Sequence, residues 1–159
     1  YPTPFELHFS MTHLDWYLSD PQDYVEKMRG TDKDLAAHFT ILYHRGKALY
    51  GKEINEVFDR VSQADYLDSI RNDIENAEQE IIDAPVYIIL NLCRVLAYKR
   101  EGLDLSKLEG GQWGLANLPQ PYALPIQSAL QEYQTGIPGA FEEQSAKSYA
   151  RYMLAEISS

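Results

Sequence analysis

Hydrophobic positions recur with helical spacing over most of the chain, and one segment, residues 86–97, is apolar on almost every side. The preceding Asp83-Ala84-Pro85 is typical of a helix start, because a proline at the first helical position lacks an N–H that would have no partner there. Lys99 and Arg100, followed by Gly102, indicate where this helix ends. A helix this apolar is expected at the centre of the fold.

Four polar or aromatic side chains interrupt this helix at spacings of i, i+4, i+7 and i+11, which place them on one face: Tyr87, Asn91, Arg94 and Tyr98. An arginine in apolar surroundings needs an anionic partner, because burying it unpaired is costly. Two interpretations remain open: an internal ion pair, or an anion-binding face that lines a cleft. In a third interpretation the chain is a free-standing structural bundle, and this polar stripe of four residues serves only packing.

The remaining pattern predicts an all-α protein, a bundle of about six to eight helices of unequal length. Alternating residues 5–10 predict a short N-terminal strand, which either pads the bundle or joins a sheet supplied by missing sequence. Helices are predicted at residues 11–18, from Thr31-x-x-Asp34 to Arg45, at 53–61, at 62–82, from about Gly111 to before Leu118, at 121–133 and at 140–157.

Composition narrows the function classes. The formal charge of −10 argues against non-specific nucleic-acid binding and favours cationic partners. Cys93 is the one cysteine, so no internal disulfide forms, which fits a reducing cytoplasm. No apolar run approaches the roughly 20 residues of a membrane span, and no signal-peptide pattern is present. The chain starts at Tyr1 without an initiator methionine, which suggests a piece of a longer protein.

No self-sufficient active site is visible in the sequence. Asp32 and Asp34 could share a divalent cation, although helix capping explains both acids more simply. The four histidines lack zinc spacing, and the common phosphate-binding and nucleophile motifs are missing. Cys93 lies in an apolar run, where an inert core thiol is the simpler interpretation.

Several short motifs occur in the order and spacing of a known family: Tyr1-Pro2, Phe5 to Phe9, Asp32 to Ala36, Leu49 to Lys52, Val57-Phe58, Asn91 to Arg94, Ser106-Lys107, Gly110 to Trp113, Leu118-Pro119 and Ala129 to Tyr133. On these residues the chain resembles the C-terminal helical domain of the aminoglycoside nucleotidyltransferases that adenylylate streptomycin and spectinomycin. The resemblance covers nearly the whole chain.

The resemblance implies a two-domain enzyme whose N-terminal nucleotidyltransferase domain, with the catalytic carboxylates and magnesium, lies outside this chain. Residues 1–10 would adjoin that missing domain, and residues 11–159 would form the helical substrate-binding domain, inactive alone. The family's nucleotide-contacting arginine and lysine align with Arg94 and Lys107, which would bind the triphosphate of ATP. The fork of arginine suits phosphate, and lysine acts as a point charge.

For the antibiotic, the resemblance implies acidic and aromatic contacts between the two long helices. The aligned positions are Glu75, Glu80, Ala84 and Tyr87, so the tryptophan and one acid of the streptomycin site are absent. Glu80, Asp83, Tyr87 and Asn91 are the predicted substrate-binding residues. The expected function is AMP transfer from ATP to a hydroxyl of a spectinomycin- or streptomycin-like aminoglycoside. The alternative is a non-catalytic helical binding or interaction domain attached to a nucleotidyltransferase of other specificity.

Overall fold

The computed structural model describes residues 1–159 and confirms the all-α prediction, with a two-stranded antiparallel sheet as the one β element. It contains ten α-helices, two of them single turns of four residues, which is more than the six to eight predicted. The chain divides into two compact units, residues 1–69 and 70–159, and the boundary falls within one helix. No helix combines the length and the apolar character needed to cross a bilayer.

The first unit contains the sheet and five short helical elements: β1 (Thr3–Phe5), α1 (Leu14–Ser19), α2 (Pro21–Lys27), β2 (Gly30–Asp32), α3 (Leu35–Arg45), α4 (Ile54–Val57) and most of α5 (Gln63–Asn72). Tyr24 of α2 is fully buried, and its hydroxyl donates a 2.7 Å hydrogen bond to the backbone carbonyl of His8. Aromatic rings of the N-terminal segment surround Tyr24. Among them, the ring centroids of Phe9 and Trp16 lie 6.0 and 5.1 Å from that of Tyr24.

Two predictions for this unit need correction. The strand covers Thr3–Phe5 instead of residues 5–10, and it pairs with Gly30–Asp32 of the same chain, so the alternation of residues 5–10 was misleading. The predicted helices at residues 11–18 and from Thr31 leave out α2, which lies between them at Pro21–Lys27. Asp20 caps it by accepting a hydrogen bond from the Asp23 N–H, and Pro21 occupies the first turn, which is the usual start signal.

The second unit is built around α7 (Pro85–Glu101), which packs against α8 (Lys107–Asn117), α9 (Ala123–Thr135) and α10 (Glu143–Ser158). The remaining helix, α6 (Ala77–Glu80), contacts α7 and α10. Nine residues of α7 are buried, Ile88 to Cys93 and Val95 to Ala97, and half-buried Arg94 lies between these two runs. As predicted, Pro85 begins the helix and Gly102 ends it, with φ at +67°, a value that glycine adopts at little cost.

The long helix predicted over residues 62–82 is wrong, because α5 stops at Asn72 and α6 starts at Ala77. The intervening residues form turns, and the Glu75 N–H bonds to the Asn72 carbonyl at 3.4 Å. Asn72, Asp73 and Asn76 favour such turns because short polar side chains compete for backbone hydrogen bonds. Ile74 and Ala77 stay buried across the break, so the hydrophobic period survives while the helix does not.

The helix predicted from about Gly111 begins four residues earlier, at Lys107. Ser106 and Glu109 form a reciprocal capping box: the Glu109 N–H donates to the Ser106 hydroxyl, and the Ser106 N–H donates to the Glu109 carboxylate. The Ser-x-x-Glu signal is present in the sequence and would have placed this start correctly. Because α8 starts at 107, Lys107 lies in the first turn of this helix.

Candidate functional site

The guanidinium of Arg94, a residue of α7, donates hydrogen bonds to two neutral oxygens. Its Nε donates to the backbone carbonyl of Leu105 at 2.7 Å, and its Nη1 donates to Oδ1 of Asn91 at 2.9 Å. The side chain is half-buried, between the fully buried residues on either side of it in the helix. An amide and a carbonyl fix the direction of a guanidinium without neutralising it, so Arg94 retains its charge for another anion.

Gly110 brings α8 into contact with the aliphatic stem of Arg94. A Cβ added at this glycine would lie 2.6 Å from Cγ of Arg94 and 3.3 Å from its backbone nitrogen. Such a distance is far inside van der Waals contact, so residue 110 must lack a side chain for the two helices to pack this closely. The stem of Arg94 is therefore fixed by packing while its head is fixed by hydrogen bonds.

Asn91 is 2% exposed, and its side-chain Nδ2 is buried without a hydrogen-bond partner. A buried donor left unsatisfied costs about 1–3 kcal/mol. Substrate contact predicted for Asn91 stays a prediction, but its burial favours contact with Arg94, which its other side-chain atom provides.

Lys107 lies over the ring of Tyr87, with Nζ 4.3 Å from the ring centroid. This is a cation–π contact, which holds a flexible lysine and leaves its charge intact. Tyr87 is 41% exposed, so the pair lies at the surface of the second unit. Both residues are on elements already placed, Tyr87 in the first turn of α7 and Lys107 at the start of α8. The structure thus brings together one predicted nucleotide contact and one predicted substrate contact.

The predicted acidic contacts lie just before α7. Glu80 is the last residue of α6, and Asp83 follows in the turn that leads to Pro85; both are exposed. Their backbones are joined, since the Asp83 N–H donates to the Glu80 carbonyl at 3.1 Å. The exposed carboxylates therefore precede the end of α7 that carries Tyr87, while Arg94 lies about two turns further along the helix.

The last member of the polar stripe, Tyr98, is half-buried near the C-terminal end of α7. Burial, followed by the charge of Asp104, raises the pKa of Tyr98 above its usual value. Its phenol is therefore neutral at physiological pH and serves as a hydrogen-bonding group there. The stripe is continuous along one face, as predicted, but its members have different degrees of exposure.

The remaining candidates have structural roles in this fold. Asp32 accepts the Asp34 N–H at 2.9 Å and Asp34 bonds to His38 at 3.0 Å, so both acids organise the start of α3. Trp113 is buried and its indole N–H donates to Glu101 at 2.8 Å. The chain contains no group of three or more His, Cys, Asp or Glu side chains arranged to hold a metal ion.

The second unit and the helix before it match the model of a known family. Residues 56–156 match the family described as aminoglycoside adenylyltransferase, C-terminal domain. The chain belongs to this family. The match covers all of α5 to α9 and nearly all of α10, and therefore includes every predicted site residue. Family membership agrees with the resemblance found in the sequence motifs.

A solved structure shows the same fold. The spectinomycin adenyltransferase AAD(9) from Enterococcus faecialis, crystallised with ATP and spectinomycin, superposes with a TM-score of 0.79 at 18% sequence identity. The similarity covers 100% of this chain and 62% of that enzyme, so the chain spans less than two thirds of its neighbour's length. No curated protein matches the sequence significantly.

Two parts of the site were missed in the sequence. The Leu105 carbonyl that accepts from Arg94 is a backbone group in a loop, and no sequence signal identifies it. In the sequence Gly110 appeared as part of a family motif, whereas in the structure it lies buried in the first turns of α8. A glycine just inside a helix start that a Ser-x-x-Glu capping box marks suggests close packing, and this signal could have found it.

Proposed function

We propose that this chain is the ATP- and substrate-contacting C-terminal domain of an aminoglycoside O-nucleotidyltransferase. The complete enzyme transfers AMP from ATP to a hydroxyl of a spectinomycin- or streptomycin-like antibiotic. The N-terminal domain of the same polypeptide supplies the catalytic carboxylates and binds magnesium. The proposal is supported by the family match and by the fold shared with a spectinomycin adenyltransferase.

The proposed nucleotide role of Arg94 rests on the contacts that its side chain makes. Its two hydrogen-bond partners are neutral, its stem is fixed by Gly110, and its charge is therefore available to a phosphate. Lys107 supplies a second positive charge from the start of α8. Arg94 and Lys107 hold the triphosphate from the helical side and stabilise the charge that develops on the departing pyrophosphate.

In the reaction a carboxylate of the N-terminal domain accepts the proton of a sugar hydroxyl. The hydroxyl oxygen attacks the α-phosphorus, and the bond from that phosphorus to the pyrophosphate oxygen breaks. Magnesium, when bound, shields the phosphate charges during this step. The residues of this chain contribute orientation, because a triphosphate held by fixed cations presents its α-phosphorus in one direction.

The antibiotic is a cation, and the exposed acids near the start of α7 match it in charge. Glu80 and Asp83 contact the amino groups of the sugar, and Tyr87 offers an aromatic face. A carboxylate–ammonium pair at about 4 Å contributes roughly 1 kcal/mol in water and about 4 kcal/mol in a half-buried cleft, before desolvation. Two such acids distinguish a cationic sugar from a neutral one.

The test is steady-state turnover of ATP by the full-length polypeptide with spectinomycin and with streptomycin. Arg94→Ala is expected to lower kcat/KM by at least about 100-fold, since one phosphate clamp is removed from the transition state. Arg100→Ala is the matched control, because Arg100 lies on the same helix, is exposed and pairs with Glu156.

The control variant should keep its activity within about twofold, as expected for an exposed ion pair. Equal turnover by Arg94→Ala and the unmodified enzyme would refute the nucleotide role. Turnover of neither antibiotic by the full-length polypeptide would favour the alternative, a non-catalytic binding domain attached to a nucleotidyltransferase of other specificity.

A further inference from the structure

We infer that Asn91 is a positioning residue that orients Arg94 while leaving its charge uncompensated, and that it does so without touching the nucleotide. The inference rests on the proposed nucleotide role of Arg94 and adds a residue to it. Asn91 lies one helical turn before Arg94 on the same face of α7, and its Oδ1 accepts from Nη1 of Arg94 at 2.9 Å. It is 2% exposed, so a ligand does not reach it in this structure.

The neutral amide is the informative feature. An aspartate has the same shape, and its carboxylate would accept from a guanidinium by a shorter and stronger charge-assisted bond. It would also remove the buried Nδ2, which has no partner here. For holding the guanidinium alone, aspartate is therefore the better side chain. Asparagine gives the same direction to Arg94 and keeps the full positive charge for an incoming anion.

The neighbouring contacts support the same conclusion. The second partner of Arg94, the Leu105 carbonyl, is also neutral, and Gly110 restrains its stem by packing. Three restraints thus act on one side chain, and none of them brings a negative charge. A guanidinium that served only the stability of the second unit would gain from a carboxylate partner, whereas one that binds phosphate would lose affinity.

The experiment compares Asn91→Asp with the unmodified full-length enzyme. Asn91→Asp is expected to keep the midpoint of thermal unfolding within a few degrees and to raise the KM for ATP at least about tenfold, with a smaller change in kcat. Asn72→Asp is the matched control, because it adds the same charge at an exposed position and should leave the KM for ATP unchanged. An unchanged KM in a folded Asn91→Asp enzyme overturns the inference.

A double-mutant cycle with Arg94→Ala separates the two proposals. If Asn91 acts through Arg94, Asn91→Asp has no further effect on the KM for ATP once Arg94 is alanine. If Arg94→Ala leaves kcat/KM for ATP unchanged, the proposed function fails; if Arg94→Ala lowers kcat/KM while Asn91→Asp leaves the KM for ATP unchanged, this inference alone fails. If Asn91→Asp does not fold, Asn91→Leu tests the same hydrogen bond by removing the oxygen that accepts from Arg94. It is expected to raise the KM severalfold, and an unchanged KM there also overturns the inference.

Discussion

Cys93 lies at the centre of α7 and is fully buried, with Sγ 3.1 Å from the hydroxyl of Tyr149. That hydroxyl in turn donates to the Ile89 carbonyl at 3.1 Å. Burial raises the pKa of the Cys93 thiol from an ordinary 9.0 to about 12, and it also raises the pKa of Tyr149. Both groups are therefore neutral at physiological pH. The thiol is a packing group, as its apolar surroundings in the sequence predicted.

The raised pKa of Cys93 predicts a loss of stability in alkali. Above about pH 9 the unfolded thiol releases its proton while the native thiol keeps it, so the free energy of unfolding falls as pH rises towards 12. The slope due to this group approaches about 1.4 kcal/mol per pH unit. Urea denaturation between about pH 8 and pH 10 measures it, and Cys93→Ala should show a shallower decline. Rapid modification of the native thiol by an aromatic disulfide reagent near pH 8 would contradict this assignment.

At the scale of elements, the packing of α8 against its neighbours depends on three glycines. A Cβ at Gly111 would lie 2.5 Å from Cδ2 of Leu130 and 2.8 Å from Cδ2 of Leu90, and one at Gly114 would lie 2.6 Å from Sγ of Cys93. With Gly110 against Arg94, these positions place α8 against both α7 and α9. The close approach keeps Lys107, at the start of α8, beside Tyr87 of α7.

Gly111→Ala is expected to destabilise the protein, although alanine is the better helix former. Helix propensity favours the change by up to about 1 kcal/mol, whereas overpacking a rigid core costs roughly 1–3 kcal/mol or more. The net loss should be about 1–2 kcal/mol, seen as a Tm several degrees lower. Gln112→Ala, at the next and exposed position, should stay within about 0.5 kcal/mol. A higher Tm for Gly111→Ala would show that α8 can move away from α9.

These elements show how far sequence reasoning reaches. The bounds of α7 follow from local signals, Pro85 at one end and Gly102 at the other, and the structure agrees. The polar stripe with Arg94 follows from helical period alone. The break between α5 and α6 was missed because the hydrophobic period continues through it, while residues 73–76 form turns. The contact between Gly110 and Arg94 joins two helices and has no local signature.

For the whole molecule, Arg94 and Lys107 are two of the seven lysines and arginines of the second unit. The chain as a whole has a net charge of −10 and no metal-binding group of acidic side chains. Arg94 and Lys107 therefore give a local positive charge to a protein whose net charge is negative. A triphosphate approaching the chain meets local attraction and general repulsion, and exposed charges are screened by salt over about 10 Å. If the proposed function holds, productive binding of ATP needs further contacts, which that proposal assigns to an N-terminal domain and magnesium.

We therefore expect weak ATP binding by the 159-residue chain on its own. Two charge-assisted contacts supply about 3–6 kcal/mol, at roughly 1.5–3 kcal/mol each, whereas association costs at least about 4 kcal/mol in lost freedom. The net affinity should be weaker than a Kd of about 1 mM, which corresponds to about −4.1 kcal/mol. Isothermal titration calorimetry with ATP, alongside Arg94→Ala as the reference for non-specific heat, measures it. Micromolar affinity abolished by Arg94→Ala would show that this chain alone forms the nucleotide site, and the division of labour between the two domains would then be wrong.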